Sequence, residues 1–276
     1  MSKTLLRGLD LIELVGLEGP LTISEIARRT GIDLSIVSRT VAACEPDGWL
    51  SRADGRIVAG PRCALLGLAS PATHAIRAAE PLVRAISAAV GPALAASASA
   101  LVGREVMVLA VDAAGGAGLA VGVPSRVPIH ILADGLAIAA QLSPGQLDKV
   151  LGAEPYPGAE VLAPDPARSS AIAGFVASFP GGSHAEPQVT QTRAELDARI
   201  GQVRSEGFSR DAGRIHPSIH CIARPWPAAG LPSAICCVGS QDEITMHRPL
   251  IEACLTAATE PGATSPDIIR AAASAA

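Results

Sequence analysis

The chain has 276 residues, enough for two domains, and its 22 Lys and Arg stand against 26 Asp and Glu for a net charge of −4. That balance argues against a strong, general polyanion binder, so any contact with DNA must rest on how the charges are distributed. Hydrophobic residues make up 49% of the chain but aromatics only 2%, so the core is expected to be built from Ala, Val, Leu and Ile.

No stretch approaches the roughly 20 uncharged apolar residues of a membrane span, so no membrane association is expected. The start, MSKTLLRGLDL, reaches an acid too early for a secretory signal, which points to a cytoplasmic protein. Six cysteines in a chain of this length do not form a disulfide framework and read as buried or free thiols.

Leu5 to Leu17 repeats apolar residues at Leu6, Leu9, Leu11, Ile12, Leu14 and Val15, the spacing of a supporting helix. Thr22 and Glu25 have the spacing of a capping box, and Ile23, Ile26 and Ala27 then share one helical face. Thr30-Gly31-Ile32 breaks the pattern, with Gly31 suited to a positive φ. Asp33 or Ser35 caps a second helix whose apolar stripe is Ile36, Val37, Thr40, Val41 and Cys44, and Pro46 should end it early. Two short helices around a glycine turn form a helix-turn-helix. Trp49 to Arg52 and Arg56 to Val58 flank Asp54-Gly55, a strong hairpin signal, and a hairpin in that place is a wing. Residues 1–60 therefore read as a winged helix-turn-helix.

Residues 61–91 read as a linker region. Arg62 to Leu68 is a short helix, Ser70-Pro71 starts another, and Pro81 should kink or split it. Residues 92–260 read as an α+β layer domain. Its strands are Ala95–Val102, Glu105–Asp112, Leu119–Val123, Ile219–Arg224 and Ala234–Gly239. Its helices are Ala133–Gln141, Pro144–Leu151, Ala167–Phe179, Arg193–Glu206 and Thr245–Thr259, with loops at 113–118, 152–165 and 180–187. Residues 261–276 read as a frayed or weakly helical tail. No internal repeat is evident.

RGLDLIELV, LTISEIARRTGIDLSIVSRTVAACEPDGWL and GRIVAGPRCALLGLA together resemble the amino-terminal domain of IclR-family bacterial transcription regulators. SRVPIHILADG and ELDARIGQVRSEGFSRDAGRIHPSIHCIARPW resemble later segments of the same family, so the likeness spans most of residues 5–258. It implies a GAF-like sensor domain with one antiparallel sheet, a small-molecule effector, palindromic double-stranded operator DNA, and a homodimer or a dimer of dimers (a homotetramer). No cofactor and no catalytic activity are expected.

The expected DNA-contacting residues are Ser24, Arg28, Ser35, Ser38, Arg39, Thr40, Arg52 and Arg56. Ser35, Ser38 and Arg39 should face the groove, with Ser35 and Thr40 touching phosphate and Arg39 placed for a guanine edge or a phosphate. Residues 1–70 carry eight basic and eight acidic side chains, so this domain is neutral overall. Leu34 replaces a polar residue usual in the family, which removes a contact or offers a thymine methyl a partner.

The resemblance points to an effector site at Ala133, Asp134, Gly135, Asp211, Ile219, Cys221, Cys236 and Val238. Some relatives place serines where Cys236 and Val238 stand, so their carboxylate chemistry does not carry over. Asp134 replaces a small residue and either touches ligand or caps the helix after it. His130, His216, His220, Cys221 and Cys236 invite a metal reading, but their spacing is open and Cys236 and Cys237 point to opposite faces of a strand. A catalytic trio of Cys221, His220 and Asp211 fails for a similar reason, since adjacent strand residues cannot face each other. The rival reading is a metal-binding or catalytic sensor domain with a vestigial winged helix.

Overall fold

The computed structural model describes residues 3–68, 70–112, 126–156, 192–214, 219–226, 228–260 and 265–276. The described chain forms two units that divide between Thr73 and His74.

In the first unit, helix α1 (Lys3–Glu18) buries Leu11 and Val15. Helix α2 (Ile23–Thr30) opens with the capping box: the Glu25 N–H donates to Thr22 Oγ1 at 3.2 Å, and the Thr22 N–H donates to Glu25 Oε2 at 2.7 Å. It ends at Gly31, whose φ of 66° lies in the left-handed region that a side chain would strain. Helix α3 (Leu34–Cys44) is capped by Asp33, which accepts from the Ser35 N–H at 2.8 Å, so Asp33 and not Ser35 takes the cap. The helix stops at Cys44, two residues before Pro46.

The wing pairs β1 (Leu50–Ala53) with β2 (Arg56–Ala59) in antiparallel register. Asp54 and Gly55 both have positive φ, as the tight hairpin turn requires. Leu21 and Ile57 exchange both backbone hydrogen bonds, at 3.0 and 2.7 Å, which ties the wing to the segment before α2. Leu11, Val15, Leu21, Ile26, Val37, Val41, Leu50 and Ile57 form one buried core, joining all five elements. Helix α4 (Pro61–Leu68) follows with no buried residue.

The second unit is built on a six-stranded, fully antiparallel sheet. Its strands are β3 (Ala95–Val102), β4 (Glu105–Asp112), β5 (Arg126–Pro128), β6 (Ser209–Ala212), β7 (His220–Pro225) and β8 (Ser233–Gly239), in the order β5-β4-β3-β8-β7-β6. On one face lie α5 (Pro71–Val90), α9 (Gln241–Met246) and α10 (Arg248–Thr259). Leu82, Ile86, Ile251 and Leu255 from these helices share a core with Ala96, Ala98, Ile235 and Cys237 of the sheet. On the other face lie α6 (Ala133–Ala139), α7 (Pro144–Val150) and α8 (Arg193–Glu206), whose Leu136, Leu147, Leu196 and Ile200 share a second core with Val106, Ala223, Ala234 and Cys236. Helix α11 (Pro266–Ala275) adds Ile269 to the first core.

Several sequence expectations change. Strand β6 was not anticipated, because Ser-Arg-Asp-Ala has no apolar alternation; its pairing with β7 defines it. The short β5 was also missed. Pro81 does not split α5, which runs unbroken from Pro71 to Val90 although Pro81 lacks the N–H for an intrahelical bond. The expected helix Thr245–Thr259 is two helices, α9 beginning at Gln241 and α10 at Arg248, with His247 between them and Pro249 in the first turn of the second. Of the two readings of the tail the helical one holds, as a helix over Pro266–Ala275 capped by Ser265. The expected loop at 113–118, strand at 119–123, helix at 167–179 and loop at 180–187 lie outside the described residues.

Candidate functional site

The exposed face of α3 carries Leu34, Ser35, Ser38, Arg39, Ala42 and Ala43, opposite the buried Val37 and Val41. The Arg39 Nε donates to the Ser35 carbonyl at 3.3 Å, which leaves the guanidinium at the surface of the helix. Thr40 is turned the other way: its hydroxyl donates to the Ile36 carbonyl at 2.9 Å. The cations around the motif divide into engaged and free. Arg29 pairs with Glu18, Arg52 with Glu45 at 2.8 Å, and Arg56 with Glu25 at 3.3 Å and the Pro20 carbonyl at 3.2 Å. The Glu25 carboxyl, held by the Thr22 backbone and hydroxyl before any Arg56 contribution, sits below its ordinary value. Ser24 and Arg28 are exposed on α2, where Arg28 acts on Glu25 only through its charge. The structure therefore offers Arg28 and Arg39 as ready cations, while Arg52 and Arg56 would first have to leave an acid.

The second candidate site lies on the α6 face of the sheet. The register sets Ser209, Ala223, Cys236 and Ser97 directly opposite one another, one on each of β6, β7, β8 and β3. One step along the strands, the row is Asp211, Cys221, Val238 and Ala95. Ser99 and Ala234 form the row on the other side. These are small side chains at the centre of a sheet, where large ones usually fill the gap to the covering helix. Cys236, Val238 and Asp134 keep 5–7% of their surface accessible, and Ser97 and Cys221 are only half-buried, whereas Ala96, Ala98, Ile235 and Cys237 on the opposite face keep none.

Helix α6 roofs this patch. Gly135 lets it come down: a Cβ there would lie 2.2 Å from the Ile129 carbonyl oxygen. Asp134, in the first turn, accepts from the Ser99 hydroxyl at 2.5 Å and from the Gly135 N–H at 3.0 Å. The N-cap itself is Leu132, with no side-chain cap bond, so Asp134 meets the helix from inside its first turn while also reaching the sheet. Burial pushes its carboxyl above the ordinary value, against the pull of the Ser99 hydrogen bond. Gln141 Nε2 donates to the Ser233 carbonyl at 2.7 Å and fastens the far end of the helix to β8.

Asp211 is buried beside Cys221, and burial raises its carboxyl as well. It accepts from the Arg214 N–H at 2.9 Å and feels Arg199, Arg214 and His220. Arg214 pairs in turn with Glu195 of α8 at 2.8 Å. Cys221 and Cys236, diagonal neighbours on β7 and β8, share a hydrogen bond that raises the Cys221 thiol. For Cys236 the same bond pulls the thiol down, and burial outweighs it. Cys237 faces the other core. His130 is buried against Tyr156, with ring centroids 5.4 Å apart. Among the described residues no three His, Cys, Asp or Glu side chains converge as a metal site, and His216 lies outside them.

Of the residues expected from sequence, Asp134, Asp211, Cys221, Cys236 and Val238 are thus brought together. Ala133 and Gly135 belong to the roof, and Ile219 is buried just before β7. Sequence reasoning missed Ser97, Ser99 and Ser209. For the first two a signal existed: in AASASALV the serines recur every second residue, on one face of a strand. For Ser209 none did, because its strand was not recognised.

A helix-turn-helix with an exposed second helix and a wing defines the first unit as a winged helix-turn-helix domain. Residues 4–54 match the IclR helix-turn-helix domain. That family match covers the helix-turn-helix domain, and the remainder of the chain is compared through its fold. No curated protein matches the sequence. Similar solved structures include a candidate ICLR transcriptional regulator from Silicibacter sp. TM1040, with a TM-score of 0.67 and 18% identity over 98% of this chain and 96% of that one. An IclR homolog from Microbacterium hydrocarbonoxydans complexed with 4-hydroxybenzoate has a TM-score of 0.65 and 21% identity over 99% and 100%. The IclR of Thermotoga maritima has a TM-score of 0.52 and 14% identity over 98% of each chain. At such identities these likenesses are likenesses of fold. No helix among the described residues is long and apolar enough to cross a membrane.

Proposed function

We propose that the chain is a ligand-responsive regulator of the IclR type whose winged helix binds an operator and whose sheet domain senses a small molecule at the patch of small side chains facing α6. The observation that carries the reading is the pairing of two features in one chain: an exposed α3 face bearing Ser35, Ser38 and Arg39, and a patch of small side chains under Asp134 and Gly135. A relative of the same fold complexed with 4-hydroxybenzoate supports a ligand role for such a domain. Ser35, Ser38 and Arg39 enter the major groove, Ser24 and Arg28 hold phosphate, and the wing arginines Arg52 and Arg56 add to the grip once they exchange their acids for phosphate. Two copies place two recognition helices on a palindromic site. The ligand acts by binding one of the DNA-competent and incompetent states more tightly than the other.

The test is binding to the DNA flanking the protein's own gene, at two salt concentrations, with a metabolite panel. A salt-dependent specific shift that falls about tenfold in Arg39→Ala, and that one metabolite alters, is the expected result. The same shift with Arg39→Ala unchanged removes α3 as the reading element. A ligand effect that survives Ser97→Trp removes the patch as the sensor.

A further inference from the structure

Taking the winged helix as the operator-binding unit, we infer that the first turn of α3 reads exocyclic amino groups through acceptors on Asp33 and Ser35, so that each half-site carries adenine or cytosine there on one strand. Asp33, Leu34 and Ser35 are exposed at the start of the second helix of the motif, the end whose side chains meet base edges in the major groove. Asp33 caps that helix. Its Oδ1 accepts from the Ser35 N–H at 2.8 Å and from the Ser35 hydroxyl at 2.5 Å. Those two bonds, the hydroxyl first, hold its carboxyl below the ordinary value, with a smaller pull from the charge of Arg39. Asp33 is therefore ionised near neutral pH.

Both groups then act as acceptors. The Ser35 proton is committed to Asp33, so its oxygen offers lone pairs. An ionised carboxylate has about four acceptor sites and no donor, and Ser35 occupies only Oδ1. Neither group donates to a phosphate oxygen in this arrangement, and the Asp33 charge repels one. This revises the phosphate role expected of Ser35. In the major groove the donors are adenine N6 and cytosine N4, whereas guanine and thymine present acceptors in their place. Leu34, 51% exposed between the two acceptors, suits a thymine methyl rather than a charged backbone.

Arg39 sets the register. Its Nε donates to the Ser35 carbonyl at 3.3 Å, and its terminal nitrogens suit the O6 and N7 of a guanine. Ser35 and Arg39 are four residues apart, about 6 Å along the helix, close to two base-pair steps. The half-site signature is thus A or C within about two base pairs of a G.

The experiment selects duplexes from a random pool with the full chain at fixed salt, and repeats the selection with Asp33→Asn, Ser35→Ala and Arg39→Ala. Asn caps a helix as well as Asp, so α3 keeps its start while an amide donor replaces an acceptor. The parent should hold one position per half-site to A or C. Asp33→Asn and Ser35→Ala should each relax that preference by about fivefold or more and leave the other positions unchanged, while Arg39→Ala relaxes the G. In the selected duplex, purine or pyrimidin-2-one, which lack the amino group, should cost the parent about fivefold or more and the Asp33→Asn, Ser35→Ala double variant less than about twofold. A parent site with no A-or-C position, or one whose preference survives in both single variants, overturns the inference and leaves operator binding standing. Ser35→Ala that weakens all sequences alike, with a shallower salt dependence, also overturns it, since that marks a phosphate contact. A parent that enriches no sequence overturns the operator reading and this inference together.

Discussion

The two faces of the sensor sheet are made from the same strands and teach opposite lessons. Residues that alternate along β3 and β8 go to one face or the other: Ala96, Ala98, Ile235 and Cys237 to the α5–α10 side, Ser97, Ser99, Ala234 and Cys236 to the α6 side. On the first side the small alanines share a core with Leu82, Ile86 and Leu255, each 0–1% exposed. On the second the small residues are met by α6, which is itself small at Ala133, Gly135 and Ala137; Ser99 and Ala234 keep no accessible surface, while Ser97 and Cys221 are half-buried. Small against large fills the space between layers; small against small lets the helix backbone approach the sheet closely. Buried cysteines show the same contrast. Burial alone pushes Cys254 up to about 11 in the packed core, whereas Cys221 is shifted first by its partner Cys236.

Four substitutions would break or sharpen that contrast. The largest effect is expected from Leu82→Ala, 1% exposed on the packed side, at a cost of about 3 kcal/mol with a cavity left behind. Its counterpart Ser97→Ala, half-buried on the α6 side, should change stability by less than about 0.5 kcal/mol. Urea unfolding of both measures the pair, and equal costs would mean the α6 side is packed as tightly there as the other.

Next is Gly135→Ala. Its Cβ, 2.2 Å from a backbone oxygen that cannot swing aside, should lift α6 from the Ile129 carbonyl. The cost should be about 2 kcal/mol, and the ligand response should be lost while Leu82→Ala keeps it at a temperature where both are folded. A ligand response that survives would show the roof is not part of the site.

The smallest effect concerns Asp134→Asn and depends on pH. The folded-state value of Asp134 lies above its unfolded 3.8. The stability it contributes is therefore fully present below about pH 3.8 and is lost as pH rises through the raised value. Asn does not titrate, so the variant should gain on the parent as pH rises from 4.5 to 8. A gap that stays constant across that range would mean that a cation faces Asp134 in the free protein.

The first unit was the more legible of the two. Its signals are local: Thr22 and Glu25 three residues apart, Gly31 at the break, Asp54-Gly55 at the turn. Each prescribes a backbone conformation within a few residues, and each was found where expected. The exposed side of α3 followed from the same periodicity. The engagement of Arg52 and Arg56 did not follow, because their partners Glu45 and Glu25 are distant in sequence or face them only once the wing folds back.

In the second unit, Ala95–Val102, Glu105–Asp112 and Arg193–Glu206 could be read from alternation and capping. What the sequence by itself determined is thus the set of elements with strong local chemistry and the face each presents. Tertiary structure decided the rest. It made a strand of Ser209–Ala212, whose only reason to be one is β7 beside it. It placed Ser97, Cys236, Ala223 and Ser209 in one row, since cross-strand register is a relation between segments, and β3 lies more than 100 residues from the other three strands. And it brought Asp134 down onto Ser99, because Gly135 alone allows the helix to rest against Ile129. Close approach of backbone to backbone leaves no periodic trace in a chain; it is written only in where the missing side chain would have gone.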